Sequence, residues 1–180
     1  MPRVNASNTR SSDVLITQHA SPLGPLWSNW TKKGLYQLSW QTPTSDHARH
    51  HTSVSNKQVN MLDTMLRDYF EGKNVSWHDL VLDPTDWPPF TKQVYERCLE
   101  IPFGKTITYK QLAKLAGNEK ASRAVGSAMS RNRILLIIPC HRVVSTSGHL
   151  QGYSAKGGIN TKHLLLELER QGRWPCDLFD

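Results

Sequence analysis

Between Leu82 and Pro89 the chain passes through eight residues that include three prolines and two aspartates. Proline has no N–H to give a helix or a sheet ladder, so regular structure cannot run through such a stretch. The residues before and after it also follow different hydrophobic rhythms. The break therefore predicts a division of the 180 residues into two domains, 1–88 and 89–180. Each is long enough to bury a small core.

In the first segment Val14-Leu15-Ile16-Thr17 and Gly34 to Trp40 read as strands, on either side of a third short run at Leu26-Trp27. Turn residues separate them, so a small antiparallel meander is expected. From Lys57 to Gly72 the apolar residues Val59, Leu62, Met65, Leu66, Tyr69 and Phe70 recur every three to four positions, as one buried helix face requires. That helix should cover the meander, which makes the first domain α/β. Between them, Thr42 to Asn56 is polar and aperiodic and reads as a surface loop. Its His47, His50 and His51 invite a metal reading. No cysteine accompanies them and Asp46 is the one acidic residue close by, so a solvated loop is the simpler account.

The second segment is mainly helical. Phe90, Val94, Tyr95 and Cys98 share a helical face, which makes Cys98 a core residue. Gly104 ends that continuity, and Thr108 can cap a helix over Tyr109 to Ala116 that stops at Gly117. Another helix is expected from about Ala121 to Ser130. Two short helices joined by a glycine-containing turn make a helix-turn-helix. The second of them, with Ala121, Ser122, Ala124, Gly126, Ser127 and Met129, is unusually small-sided. Small side chains permit close approach, either of a DNA backbone or of another helix. Arg123 tips the balance towards DNA, because a long cation on a small-residue surface can reach into a duplex.

Charge points the same way. Residues 1–88 hold eight Lys or Arg against eight Asp or Glu, whereas residues 89–180 hold fourteen against seven. The whole formal excess of +7 thus lies in the second segment. A localised basic excess suits a polyanion, with solubility as the plainer alternative. No apolar run approaches the roughly 18–20 residues that span a bilayer, and Met1 to Ser12 lacks the apolar core of a secretion signal. An intracellular protein is expected, in the cytoplasm of a bacterium or the nucleus of a eukaryote. The three cysteines, Cys98, Cys140 and Cys176, are odd in number and widely spaced, so a disulfide framework and a zinc ribbon are both disfavoured.

Ile134-Leu135-Leu136-Ile137-Ile138 must be buried, and it delivers the chain into Pro139-Cys140-His141-Arg142-Val143-Val144. A thiol of ordinary pKa is only a few per cent ionised at neutral pH, so a nucleophilic Cys140 needs a group to take its proton. His141 can do so directly or through one water. An imidazole base in turn needs an acid behind it. In the final helical pattern from Lys162 onward, Glu169 lies nearer than Glu167 to the centre of the leucine stripe and is the better inward acid. A cysteine next to a histidine can also be merely structural, and the pair alone does not decide the matter.

The full assembly is more specific. Pro139-Cys140-His141-Arg142-Val143 resembles the active-site signature of the O6-alkylguanine-DNA alkyltransferase family, and the likeness extends from about Phe90 to Glu169. Pro102-Phe103-Gly104 leading to Tyr109-Lys110-Gln111-Leu112-Ala113 resembles the first helix of that family's DNA-binding pair, and Ala121 to Met129 its recognition helix. The resemblance places Arg123 where the family inserts an arginine in place of an extruded base. It makes Asn132 the tie between the reactive loop and the recognition helix. Gly152-Tyr153-Ser154 is similar to the loop that closes over the flipped base, and Val143 and Met129 would complete the pocket. Leu135 and Gln151 would limit bulky adducts.

Two departures stand out. Ala155-Lys156 is inserted before the paired glycines Gly157-Gly158, so that counting from Tyr153 picks Glu167, whereas counting from the glycines and Lys162 picks Glu169. The first segment also has no cysteine, which leaves out the mixed cysteine and histidine zinc site of some relatives. The resemblance implies a ribonuclease-H-like first domain and a winged-helix-like second one. It implies no cofactor and no metal, and a monomer acting on double-stranded DNA that contains O6-alkylguanine, with O4-alkylthymine as a further substrate. The alkyl group would pass to Cys140 and consume the protein. Tyr109, assisted by Lys162, would stabilise the departing base. The rivals are a lesion-binding or regulatory protein without catalysis, which Cys140 disfavours, and a cysteine hydrolase, which leaves the basic helix-turn-helix unexplained.

Overall fold

The computed structural model describes residues 15–42, 56–147, 152–153 and 155–175. Three strands, β1 (Leu15–His19), β2 (Leu26–Thr31) and β3 (Gly34–Ser39), form an antiparallel meander in sequence order. The middle strand is longer than the expected Leu26-Trp27 because its polar residues have buried work to do. Ser28 Oγ accepts from Trp30 Nε1 at 2.8 Å and lies 2.7 Å from His19 Nε2, while His19 Nδ1 meets Asp63 at 2.6 Å. Although this is a serine-histidine-aspartate chain, Ser28 is fully buried. The trio fastens the sheet to the helix that carries Asp63.

That helix, α1 (Asn56–Phe70), buries Leu62, Leu66, Tyr69 and Phe70, as its spacing predicts. Beyond it, the proline-rich stretch is less irregular than expected. Leu82 bridges Leu35, the side chain of Asp83 accepts from Thr31 and from the backbone N–H of Thr85, and Pro89 opens α2 (Pro89–Leu99). Proline suits the first turn of a helix, where its missing N–H would have had no partner.

In the second segment α2 is followed by β4 (Ile107–Thr108), α3 (Tyr109–Leu115) and α4 (Ser122–Ser130). A reciprocal capping box starts α3: Gln111 N–H donates to Thr108 Oγ1, and Thr108 N–H donates to the Gln111 side chain. The chain then crosses the buried run 134–138, makes one 3-10 turn at Cys140–Arg142, and enters β5 (Val143–Val144), which pairs in parallel with β4. The last helix is α5 (Gly158–Gln171).

Residues on both sides of the proline-rich stretch join one buried cluster, in which Trp30, Leu38, Leu62 and Tyr69 meet Val94, Cys98, Leu112, Ile134 and Leu165. Ile134 to Ile138 is buried throughout but is not a strand. Only Ile134 bridges β3, at Leu38, and Leu136 turns the chain with a φ of 69°. A left-handed backbone costs a leucine on the order of 1–2 kcal/mol, and here the complete burial of its neighbours holds it. The contact across the molecule is also close at Gly72, where an added Cβ would stand 2.1 Å from the backbone of Gly172. No helix among the described residues is long and apolar enough to cross a membrane.

Candidate active site

The turn at residues 134–142 brings Cys140 against Asn132. One Nδ2 hydrogen of Asn132 donates to Ile138 O at 2.8 Å, and the same nitrogen lies 3.2 Å from Cys140 Sγ. The amide oxygen accepts from Ile134 N–H at 3.0 Å. Asn132 thus joins the end of α4 to both ends of the buried run. Burial pushes the Cys140 thiol up to about 11, against the opposing pull of the Asn132 bond and the Lys162 charge. The thiol is therefore protonated in the free protein at neutral pH.

Next to it, His141 is wholly buried. Its Nε2 stands 2.8 Å from Glu169 Oε1, and a carboxylate can only accept, so Nε2 carries the proton and Nδ1 keeps its lone pair. Burial lowers the imidazole pKa, opposed by the Glu169 bond, and favours this neutral form. Nδ1 has no hydrogen-bond partner among the described residues. It is the free basic site of the pair.

Glu169, not Glu167, is the inward acid. Glu169 is buried and also takes Arg142 Nε on Oε2 at 2.9 Å, Arg142 Nη2 on Oε1 at 2.9 Å and Gly104 N–H on Oε2 at 3.0 Å. Burial alone would raise its pKa, but the bonds and charges of His141 and Arg142 outweigh that and hold the carboxyl far below the usual range. Glu167 instead faces outward to Arg170 and Gln171. Sequence reasoning missed Arg142, although it stands inside the signature, and missed the hydroxyl of Tyr69, which donates to Glu169 Oε1 at 2.9 Å. A charged residue inside an otherwise apolar stretch was the available signal for Arg142.

Lys162 is fully buried, donates to Val143 O at 2.7 Å and lies 5.9 Å from the ring centre of Tyr109. Burial lowers its pKa and raises that of Tyr109. A cavity of about 810 Å³ opens beside these groups, walled by Tyr109, Ser122, Arg123, Gly126, Met129 and Tyr153 among others. Ser122, Gly126 and Ser130 of α4 thus form part of the cavity wall, with Arg123 and Ala124 exposed to solvent. Ala121, Ala124 and Ser127 are outside the wall itself.

Two expected pocket residues lie elsewhere. Val143 is completely buried in its pairing with β4 and contributes its carbonyl to Lys162 rather than a side chain to the wall. Leu135 packs in the core, where its N–H donates to Leu38 O. Both belong to backbone-paired segments, and pairing fixes which way their side chains turn. Ser154, Gln151, Cys176 and the histidines His47, His50 and His51 lie outside the described residues. Among the described residues, no group of three or more His, Cys, Asp or Glu side chains is placed to hold a metal ion.

Residues 89–171 match the family model described as 6-O-methylguanine DNA methyltransferase, DNA binding domain. The chain is 38% identical over 150 residues to the methylated-DNA-protein-cysteine methyltransferase of Methanosarcina acetivorans, covering 83% of this chain and 94% of that one. It is likewise 38% identical over 159 residues to the enzyme of the same name from Mycobacterium tuberculosis, at 88% and 93% coverage. Among solved structures, the Mycobacterium tuberculosis OGT in complex with DNA superposes with a TM-score of 0.75 at 36% identity, covering 91% of this chain and 98% of that one. Shared sequence and fold over nearly the whole length mean that the chain belongs to the methylated-DNA-protein-cysteine methyltransferase family.

Proposed function

We propose that this protein repairs O6-alkylguanine in double-stranded DNA by transferring the alkyl group to Cys140, one lesion per molecule. The observation that carries this reading is the buried Cys140 thiol, held by Asn132 and followed by a neutral imidazole with an unpartnered Nδ1, close to Tyr109 and Tyr153, which wall a cavity together with Ser122, Arg123 and Gly126. The basic second segment supplies long-range attraction to the duplex. Arg123 occupies the stack when the damaged base rotates into the cavity, which offsets part of the few kcal/mol that unstacking costs.

The thiol proton leaves first, to His141 Nδ1 directly or through one water. Glu169 and Arg142 keep the ring oriented, and Glu169 stabilises the imidazolium. The sulfur then attacks the alkyl carbon in line. The new S–C bond forms as the C–O6 bond breaks, and its electron pair passes to the guanine. Tyr109 donates its hydroxyl proton to the departing base, and the Lys162 ammonium close to its ring stabilises the charge that this leaves. The thioether on Cys140 has no neighbour able to hydrolyse it, so the protein is spent. Met129 and Tyr153 wall the base pocket, and the family resemblance assigns Ser154 to the loop that closes over the base. The reaction needs neither cofactor nor metal, and a monomer suffices. O4-alkylthymine fits the same chemistry. The division at residue 88, the ribonuclease-H-like first domain and the winged-helix-like second domain belong to this reading, as does action wherever the genome is kept.

The test is to mix the protein with duplex DNA that carries O6-methylguanine and weigh it intact. The expected result is one methyl in place of the thiol hydrogen, lost in Cys140→Ala. An unchanged mass beside an intact lesion would remove the repair reading.

A further inference from the structure

We propose that Tyr69, a residue of α1 far from the reactive cysteine in sequence, is a positioning residue for alkyl transfer. Its hydroxyl shares the Glu169 oxygen that holds His141, and so sets how basic that imidazole is. This rests on the transfer reading given above.

Glu169 Oε1 receives donors from three residues: His141 Nε2 at 2.8 Å, Tyr69 OH at 2.9 Å, and Arg142 through Nη2 at 2.9 Å and Nε at 3.2 Å. A carboxylate oxygen has about two lone-pair directions, so these donors compete. Tyr69 OH also lies 3.4 Å from His141 Nε2. Every hydrogen bond drawn from Oε1 by the phenol reduces the negative charge offered to the imidazolium, which is the form that Glu169 favours. Burial and the Glu169 charge together push the Tyr69 phenol well above its ordinary value. The hydroxyl therefore remains a donor at every pH where the protein works.

The other groups around His141 come from several elements. Cys140 and Arg142 flank it in the 3-10 turn, Lys162 and Glu169 face it from α5, and Tyr153 adds a buried phenol near both Cys140 and Glu169. Gly104 N–H occupies Oε2 and leaves Oε1 untouched. Tyr69 is alone in this set in coming from the segment before the proline-rich stretch. Its ring is seated independently of the hydroxyl, edge-on to Phe70 at 5.4 Å and Phe103 at 6.1 Å. Tyr69→Phe keeps that packing and removes one atom.

The test compares wild type with Tyr69→Phe in single-turnover transfer from O6-methylguanine duplex DNA across pH, together with DNA affinity and the NMR titration of the His141 ring. With the phenol gone, Oε1 serves His141 more fully and the ring protonates at higher pH. The acid limb of the rate should move up by about half to one pH unit, which is roughly a threefold to tenfold slower transfer on that limb. DNA affinity and the rate at the upper plateau should not fall. An unmoved limb and an unmoved ring titration overturn the proposal, as does a uniform loss of rate at all pH, which is the mark of loosened packing. If wild type fails to transfer methyl at all, the repair reading falls, and the ring titration alone still decides the role of Tyr69. Should Tyr69→Phe not fold, the hydroxyl proton of Tyr69 in the unmutated protein decides: a slowly exchanging resonance supports the bond, and free exchange with solvent overturns it.

Discussion

Glu167 and Glu169 stand two positions apart on α5 and have opposite surroundings. Glu169 is enclosed with Arg142 and His141, so replacing it by Gln leaves a buried guanidinium without its counter-charge. Losses of about 3–5 kcal/mol are usual when one member of a buried pair is removed. Urea melts of Glu169→Gln should show a loss of that order, with alkyl transfer slowed at least roughly a hundredfold by loss of the oriented base. Glu167→Gln should leave both the urea midpoint and the transfer rate unchanged, because its partners Arg170 and Gln171 are at the surface. Acid should weaken the fold in two stages. The folded pKa of His141 lies below its ordinary value of 6.5, and that of Glu169 below its ordinary 4.5. Both groups bind protons more readily in the unfolded chain, so their contributions are complete above those values and disappear as pH falls. The urea midpoint should therefore begin to drop as pH falls below 6.5, and drop more steeply under 4.5. A midpoint that rises on acidification would contradict the buried, neutral His141.

At the scale of an element, α4 carries two demands that conflict. Gly126 sits inside the helix, and a Cβ there would meet nothing within 4 Å. Glycine in a helix interior is less favourable than alanine by about 1 kcal/mol, so Gly126→Ala should raise the melting temperature. If α4 meets the DNA groove closely, the same methyl should weaken duplex binding, measured by fluorescence anisotropy. Gains in both stability and affinity would show that α4 does not approach the duplex there. Arg123→Ala asks the complementary question: transfer from duplex DNA should suffer much more than transfer from a free alkylated base. The helical pattern of residues 90–130 was legible in the sequence because capping residues and stop glycines act locally. Thr108, Gln111 and Gly117 do what their types dictate. The path of residues 134–138 was not legible. A continuous apolar run specifies burial, and only the pairing with β3 decides that it bends at Leu136.

Across the whole molecule, the parts before and after the proline-rich stretch share a buried cluster and touch backbone to backbone at Gly72 and Gly172. Gly72 also has a φ of 83°, which disfavours any side chain. Gly72→Ala should cost about 2 kcal/mol or more, read as a lower urea midpoint, even though it lies far from Cys140. The uneven charge belongs to the same scale. Duplex affinity should fall at least roughly tenfold between 50 and 200 mM salt, as counterion release requires of a protein with several phosphate contacts. An affinity indifferent to salt would separate the basic excess of the second segment from DNA.

The sequence by itself determined which residues are chemically able to act, because a thiol, an imidazole, a helical acid and a small-sided basic helix are properties of residue type and local spacing. It also distinguished Glu169 from Glu167, since a helix repeats its faces at a fixed angle. Only the tertiary structure decided who stands behind them. Tyr69 and Arg142 meet at Glu169 although Tyr69 is 100 residues away along the chain, and the carbonyl of Val143 accepts from Lys162. Contacts of that separation depend on how the two parts pack, and local rhythm carries no record of packing.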